Sequence, residues 1–102
     1  MASDNDDTIP GITSLIGNYP NPFNSEYNIA FLLAETSNVS LTIYNARGQK
    51  VRTLVNSELN SGNHSVIWNG KDNQGKSVTS EVYYYKMDSG KYTSSKKMIL
   101  IK

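Results

Sequence analysis

The sequence predicts an all-β domain, an antiparallel immunoglobulin-like β-sandwich of about seven strands. Short segments alternate apolar and polar side chains with the two-residue period of a β-strand. Clusters of Gly, Asn, Asp and Ser, which favour turns, separate these segments at fairly even spacing. No window of helical length keeps an apolar period near the ~3.6 residues of an α-helix. Together these observations favour two packed antiparallel sheets.

Each predicted strand is a short run with period-two alternation. The seven runs lie at residues 12–16, 26–33, 38–45, 50–55, 64–68, 81–87 and 92–101. Alternation places the following sets on shared faces: Ile29, Phe31 and Leu33; Val39, Leu41 and Ile43; His64, Val66 and Trp68; Tyr83, Tyr85 and Met87.

Turn-forming residues connect these strands. Residues 45–49 predict a hairpin turn in which Gly48 supplies the positive φ that such turns need. The alternation slips at Leu54-Val55, which predicts a bulge or a strand end. Residues 56–63 and 69–76 are rich in turn formers and predict loops.

The chain has the length of a single domain. With 102 residues it can bury about 60–65% of its unfolded surface, enough for one two-layer core. Residues 1–17 read as a polar linker with a possible first strand, and residues 18–102 as the domain. The acidic start lacks the basic and apolar regions of a signal peptide. If the domain acts outside the cytoplasm, we expect it to belong to a longer chain that carries its export signal elsewhere.

Charge and composition argue against several function classes. The net charge of +1 gives no electrostatic basis for binding nucleic acid or an anionic membrane. The longest apolar runs, residues 30–34 and 98–101, are too short to span a bilayer. With no cysteine, neither disulfides nor thiolate metal sites are available.

Catalytic chemistry is not predicted. The single histidine, His64, lies in a predicted strand beside Val66 and Trp68, where a structural role is favoured. The nine acidic residues are spread through linker and turns, and no carboxylate pair stands out for acid–base catalysis. We therefore predict no catalytic residue and no enzyme.

Ligand sites are also weakly indicated. Residues 4–7 and 71–75 carry the oxygen ligands that Ca²⁺ prefers, but Asx side chains also cap their own turns. No cofactor is predicted, and the sequence leaves open whether a Ca²⁺ ion sits in the 69–76 loop. Tyrosines 83–85 alternate between two faces, so a carbohydrate-binding platform is not favoured over core packing.

The segment from Tyr19 to Asn24, with the sequence YPNPFN, differs from its surroundings. Each proline fixes φ and removes an N–H donor, so we expect the segment to lie outside the strand ladder. It should run as a stiff polyproline-like crossover with Tyr19 and Phe23 docked against the sandwich.

Four blocks in this order, residues 19–33, 39–55, 61–87 and 90–102, together resemble the type A C-terminal sorting domain of the bacterial type IX (Por) secretion system. They are also similar to the immunoglobulin-like domain of flagellar hook-capping proteins. The matching structural motif residues are Tyr19, Pro20, Asn21, Pro22, Phe23, Asn24, Gly48, Trp68 and Gly70. The sequence departs from the family pattern at Ser25, which replaces a proline, and at Glu81, which replaces a glycine.

The resemblance implies a non-catalytic module that is read by export machinery in the outer membrane. Such domains end secreted proteins and are often removed by a sortase-like peptidase, so the implied location is secreted or cell-surface. The implied recognition residues are Gly90, Tyr92, Lys96, Lys97, Met98, Ile99, Leu100, Ile101 and Lys102. A receptor could engage them by pairing with an edge strand. The alternative is a structural or adhesive module: a spacer, a carbohydrate-adjacent domain or a hook-capping-type assembly domain.

Overall fold

Two antiparallel sheets form the domain in the computed structural model, which describes residues 12–21 and 26–101. The strands are β1 Ser14–Asn21, β2 Glu26–Leu33, β3 Ser37–Asn45, β4 Lys50–Leu59, β5 Gly62–Trp68, β6 Val82–Ser89 and β7 Tyr92–Ile99. One sheet has the order β1-β2-β5 and the other the order β4-β3-β6-β7. The predicted all-β sandwich is confirmed, and the described residues contain no helix of the length and apolarity that a membrane span needs.

The core lies between the two sheets and is built from the predicted alternating faces. The inward side chains that are at most 2% exposed are Ile29, Phe31, Leu33, Val39, Leu41, Ile43, Trp68, Tyr83, Tyr85, Met87 and Leu100. Burying one large apolar side chain contributes about 1.5–3 kcal/mol, so these residues supply most of the driving force for sheet packing. Trp68 lies edge-on to Tyr83 and donates its Nε1–H to the Lys71 carbonyl at 2.9 Å.

The β3–β4 hairpin confirms the predicted turn and bulge. Gly48 has a φ of +83° and donates its N–H to the Asn45 carbonyl at 2.9 Å. The register passes from Leu41 opposite Val55 to Thr42 opposite Thr53, so Leu54 is the extra residue of a bulge.

The largest differences between the predicted and observed strand ends are in three places. β4 continues to Leu59 and β5 begins at Gly62, so the loop predicted at 56–63 is wrong. Polar residues 56–58 read as a loop, yet polar side chains suit β4 because it is an edge strand whose backbone still pairs with β3. β1 lies later than predicted, and β7 ends at Ile99.

The predicted polyproline-like crossover is wrong over residues 19–21. Tyr19, Pro20 and Asn21 continue β1, with Pro20 opposite Tyr27 of β2. A proline is compatible with this position because β1 is an edge strand and its N–H side can face away from the ladder. Tyr19 is 51% exposed and does not dock on the core. Pro22, Phe23 and Asn24 lie outside the described residues.

Candidate recognition site on the last strand

Strand β7 forms an edge of the four-stranded sheet. Among the described residues it pairs with β6 alone, after a turn in which Gly90 has a φ of +59°. A left-handed φ of this kind is tolerated by glycine and costs other residues energy. The implied recognition residues therefore follow a tight hairpin that places them on a free sheet edge.

Two of these residues anchor the strand in the core. Met98 is 3% exposed and Leu100 is 1% exposed. Leu100 also donates its N–H to the Glu81 carbonyl at 3.0 Å, which extends the pairing one residue beyond β7. Both side chains are therefore held by packing, and a partner could contact them only after local unfolding.

Four other residues present exposed side chains. Ile99 is 56% exposed, Ile101 is 73% exposed, and both lysines of the pair at 96–97 are exposed. Lys96 lies opposite the core residue Tyr85, so it is an inward-pointing charge on an edge strand. Such charges oppose unselective pairing of edge strands. Lys102 lies outside the described residues.

The hydroxyl of Tyr27 holds the end of the chain against the body. It donates to the Ile99 carbonyl at 2.9 Å and accepts the Ile101 N–H at 3.3 Å. Because the intervening Leu100 N–H points toward β6, these two backbone groups belong to the free edge of the sheet. The Tyr27 hydroxyl thus occupies the backbone hydrogen-bonding groups at the C-terminal end of the β7 edge.

Two further tyrosine hydroxyls, one in β7 and one in β6, bond β1 and so join the two sheets. Tyr92 accepts the Leu15 N–H at 2.8 Å, and Tyr85 donates to Asn18 Oδ1 at 2.8 Å. Burial raises the pKa of Tyr85 to about 12, because the charged phenolate would lose its water. Tyr92, one of the implied recognition residues, therefore uses its hydroxyl to hold β7 against β1.

Side-chain oxygen atoms of the 69–76 loop accept hydrogen bonds from backbone N–H groups of the protein. Asp72 Oδ1 accepts the backbone N–H groups of Gln74 and Lys76 at 2.9 and 3.0 Å. These bonds, the one from Lys76 first, lower the pKa of the Asp72 carboxyl. Asn73 Oδ1 accepts the Thr53 N–H, which ties the loop to β4. Among the described residues, no three His, Cys, Asp or Glu side chains are grouped to hold a metal ion.

The remaining motif residues have local structural partners. Gly70, with a φ of +75°, accepts the Val78 N–H on its carbonyl. Glu81 Oε2 accepts the Thr79 hydroxyl proton at 2.8 Å and lies 3.3 Å from the Tyr83 hydroxyl, whose proton makes its shorter bond, 2.8 Å, to the Thr79 carbonyl. Glu81, which replaces the glycine of the family pattern, is therefore hydrogen-bonded within the turn before β6.

His64 stacks on Phe31, with ring centroids 5.3 Å apart, and bonds the Asn60 carbonyl through Nε2 at 2.7 Å. A carbonyl can only accept, so Nε2 carries a proton. These contacts are consistent with the structural role predicted for this residue.

The sequence could not have revealed the part played by Tyr27. Its hydroxyl meets a carbonyl 72 residues away, and nothing in the local pattern of 26–33 indicates that contact. The only available signal was that a buried tyrosine hydroxyl requires a partner.

Comparisons with known proteins agree with this architecture. The family model described as the FlgD Ig-like domain matches residues 21–94. FlgD from P. aeruginosa has a similar solved structure, with a TM-score of 0.62 and 19% identity, over 86% of this chain and 70% of that chain. Dimeric latent PorU from Porphyromonas gingivalis is similar with a TM-score of 0.65 and 20% identity, over 88% of this chain. No curated protein matches the sequence.

The structural comparisons and the family model support different conclusions. The matched part is only 9% of the PorU chain, and at such identities the structural likenesses show the fold alone. The family match rests on the sequence itself and covers most of the described residues. FlgD-type Ig-like domains are non-catalytic structural domains. With two antiparallel sheets and this match, the chain belongs to the FlgD Ig-like domain family.

Proposed function

We propose that this domain is a non-catalytic C-terminal module that directs a secreted parent protein through the type IX outer-membrane export machinery. The parent is then released or attached to the cell surface, in some cases after a sortase-like peptidase removes the domain. The observation that carries the proposal is that the last strand and the two residues after it combine buried anchoring side chains with exposed ones. Met98 and Leu100 fix its position in the core, whereas Lys97, Ile99 and Ile101 remain exposed to a partner.

Two further observations support the same function. The four sequence blocks occur in the order found in type IX sorting domains. The fold is also similar to a part of PorU, whose name shares the Por designation of that secretion system.

The mode of recognition combines exposed side chains with a limited length of free strand edge. Tyr27 already bonds the edge groups of Ile99 and Ile101, so backbone pairing with a receptor is open only over the earlier part of β7. The exposed side chains of Lys97, Ile99 and Ile101 make the remaining contacts.

An export assay tests the proposal. The whole chain is fused behind a signal-peptide-bearing fluorescent reporter in a bacterium with a working type IX system. The fusion keeps the residues before Asn18, because Leu15 is only 4% exposed and bonds Tyr92. We expect the wild-type fusion to bring the reporter to the cell surface or medium.

Surface variants are better suited to this assay than a truncation, because removing residues 97–102 would also remove two core side chains. The test variant combines Lys97→Gln, Ile99→Ser and Ile101→Ser. The matched control combines Ile16→Ser and Ile67→Ser, which are 49% and 53% exposed and lie in the other sheet. Periplasmic retention of the test variant alone supports the proposal. Equal export of both variants contradicts recognition through the last strand.

A hook-capping-type assembly domain is the second candidate. It is supported by the family match over residues 21–94 and by the likeness to FlgD. In this case the fusion stays in the periplasm whatever the state of its last strand. The remaining reading frame and neighbouring genes separate the two candidates, because an upstream secreted domain indicates export and a flagellar gene cluster indicates assembly.

A further inference from the structure

A row of side chains crosses the outward face of the four-stranded sheet. By register, Lys50 of β4 lies opposite Tyr44 of β3, Tyr44 lies opposite Tyr84 of β6, and Tyr84 lies opposite Lys97 of β7. All four face outward, because the alternate residues of β3 and β6 fill the core. Tyr84 is 41% exposed. The row therefore presents two neighbouring tyrosines with a lysine at each end.

The adjacent row adds a third lysine and several hydroxyl groups. It runs from Thr53 through Thr42 and Lys86 to Ser95. Thr42 faces outward by register, because Leu41 and Ile43 on either side of it fill the core, yet it is only 5% exposed. We call Lys50, Tyr44, Tyr84, Lys97 and Lys86 the tyrosine–lysine face.

Among the described residues, these two rows contain no acidic side chain. The next row along β6 holds Asp88, whose carboxylate accepts the Thr93 hydroxyl at 2.8 Å. Every charged side chain within the two rows is a lysine. The face is therefore locally cationic although the whole chain has a net charge of only +1.

We propose that the tyrosine–lysine face binds an acidic oligosaccharide. Tyrosine rings pack against the C–H faces of sugar rings, and lysine ammonium groups form charge-assisted hydrogen bonds with carboxylate or sulfate groups. Three inter-strand spacings separate the terminal lysines, about 14 Å in all, which suits an oligosaccharide better than a single sugar. The hydroxyls of Thr53 and Ser95, at the two ends of the adjacent row, add hydrogen-bonding groups of the kind that sugars use.

The composition favours a saccharide over a protein or a nucleic acid. The centre of a protein interface is depleted of charge and rich in apolar side chains, whereas these rows alternate lysine, tyrosine and hydroxyl groups. Nucleic-acid binding generally needs a broader basic surface than three lysines in a nearly neutral domain. This face shares Lys97 with the export proposal, but the two are tested separately, because the variants of Tyr84 and Lys50 change residues that the export proposal does not use.

An NMR titration tests the proposal directly. The ¹⁵N-labelled full chain is titrated with a tetrasaccharide of galacturonic acid, with maltotetraose as the neutral control and a deca-glutamate peptide as the acidic non-sugar control. We expect the acidic tetrasaccharide to shift amide signals of the central residues of β3, β6 and β7. Maltotetraose and the peptide should bind at least about tenfold more weakly, since the first lacks charge and the second lacks sugar faces.

Two variants have matched controls elsewhere on the molecule. Tyr84→Ala and Lys50→Gln should each weaken tetrasaccharide binding by roughly tenfold, the loss expected for one stacked ring or one charge-assisted contact. Tyr19→Ala, another exposed tyrosine, and Lys91→Gln, an exposed lysine of the β6–β7 turn, should leave binding unchanged. All four change exposed side chains, and their amide spectra show directly whether the fold is kept.

Three results would overturn the proposal. The first is the absence of shifts with the acidic tetrasaccharide at millimolar concentration. The second is a set of shifts that maps to another part of the surface or responds equally to all four variants. The third is equally tight binding of deca-glutamate at the same residues, which would assign the face to an acidic protein partner.

Discussion

Replacing Tyr27 by phenylalanine removes one oxygen atom that serves two backbone groups. The ring stays in place, and it is only 8% exposed, so core packing is retained. The Ile99 carbonyl loses a 2.9 Å bond and the Ile101 N–H loses a 3.3 Å bond. The variant therefore isolates the tie between the body of the domain and the end of its last strand.

The expected loss can be worked from these two bonds. A net intramolecular hydrogen bond contributes about 0.5–1.5 kcal/mol, and a separation of 3.3 Å is at the long end for N–H···O bonding. Water can replace both partners in part, because Ile101 is 73% exposed. We therefore expect the free energy of unfolding to fall by about 1 kcal/mol, which corresponds to roughly 4–8 °C in Tm for a domain of this size.

Urea denaturation and amide hydrogen exchange measure this loss and its location. The Ile101 amide should exchange about fivefold faster in Tyr27→Phe, because 1 kcal/mol corresponds to that factor. Tyr92→Phe is the matched control, since it removes one tyrosine bond at the Leu15 end and leaves the tail untouched. The reasoning is refuted if Tyr27→Phe changes stability by less than about 0.3 kcal/mol and leaves the Ile101 amide unaffected.

Three further predictions concern packing and pH. Leu100→Ala should lower the free energy of unfolding by about 2–3 kcal/mol in a urea titration, because it leaves a cavity at a 1% exposed position, whereas Ile101→Ala should cost less than about 0.5 kcal/mol. The raised pKa of Tyr85, about 12, means that the native state keeps this proton longer than the unfolded state, so stability should fall as the pH rises from about 10 to 12. Tyr85→Phe should reduce that fall in thermal melts across this range, and an unchanged slope would contradict it. In the native state the pKa of Asp72 lies below the unfolded value of 3.8, so its ionised carboxylate stabilises the fold above that pH. This stabilisation is lost as the pH falls through the native pKa, and Asp72→Asn should therefore flatten the acid limb of the same melts.

Several features of the fold follow from local pattern alone. Alternation over 26–33 and 38–45 identified the buried faces correctly, because a strand's period of two is independent of what it pairs with. The Gly48 turn and the Leu54 bulge were likewise readable, since both depend on a few neighbouring residues. Pattern failed where polar composition was taken as a loop in 56–63, because an exposed edge strand can be polar and still pair through its backbone.

The proline segment failed for a related reason. A proline is excluded from a central strand, and only the sheet order shows that Pro20 lies on an edge strand, where a proline is tolerated. Tyr19 was expected to dock on the core, but its position opposite Asn28 turns it outward. Both errors arose because a strand's place in its sheet is not encoded in its own residues.

In the candidate site, too, local pattern predicts some features and the tertiary structure decides others. The sequence by itself predicted a last strand over 92–101, and the two-residue period of any strand puts Met98 and Leu100 on one face and Ile99 and Ile101 on the other. Because residues 98–101 are all apolar, only the structure shows which of the two faces is buried. Only the tertiary structure brought Tyr27 to the end of that block and Tyr44 beside Tyr84. Alternation decides which face a side chain occupies, but the order of strands in the two sheets decides its neighbour, and that order depends on pairing between distant parts of the chain.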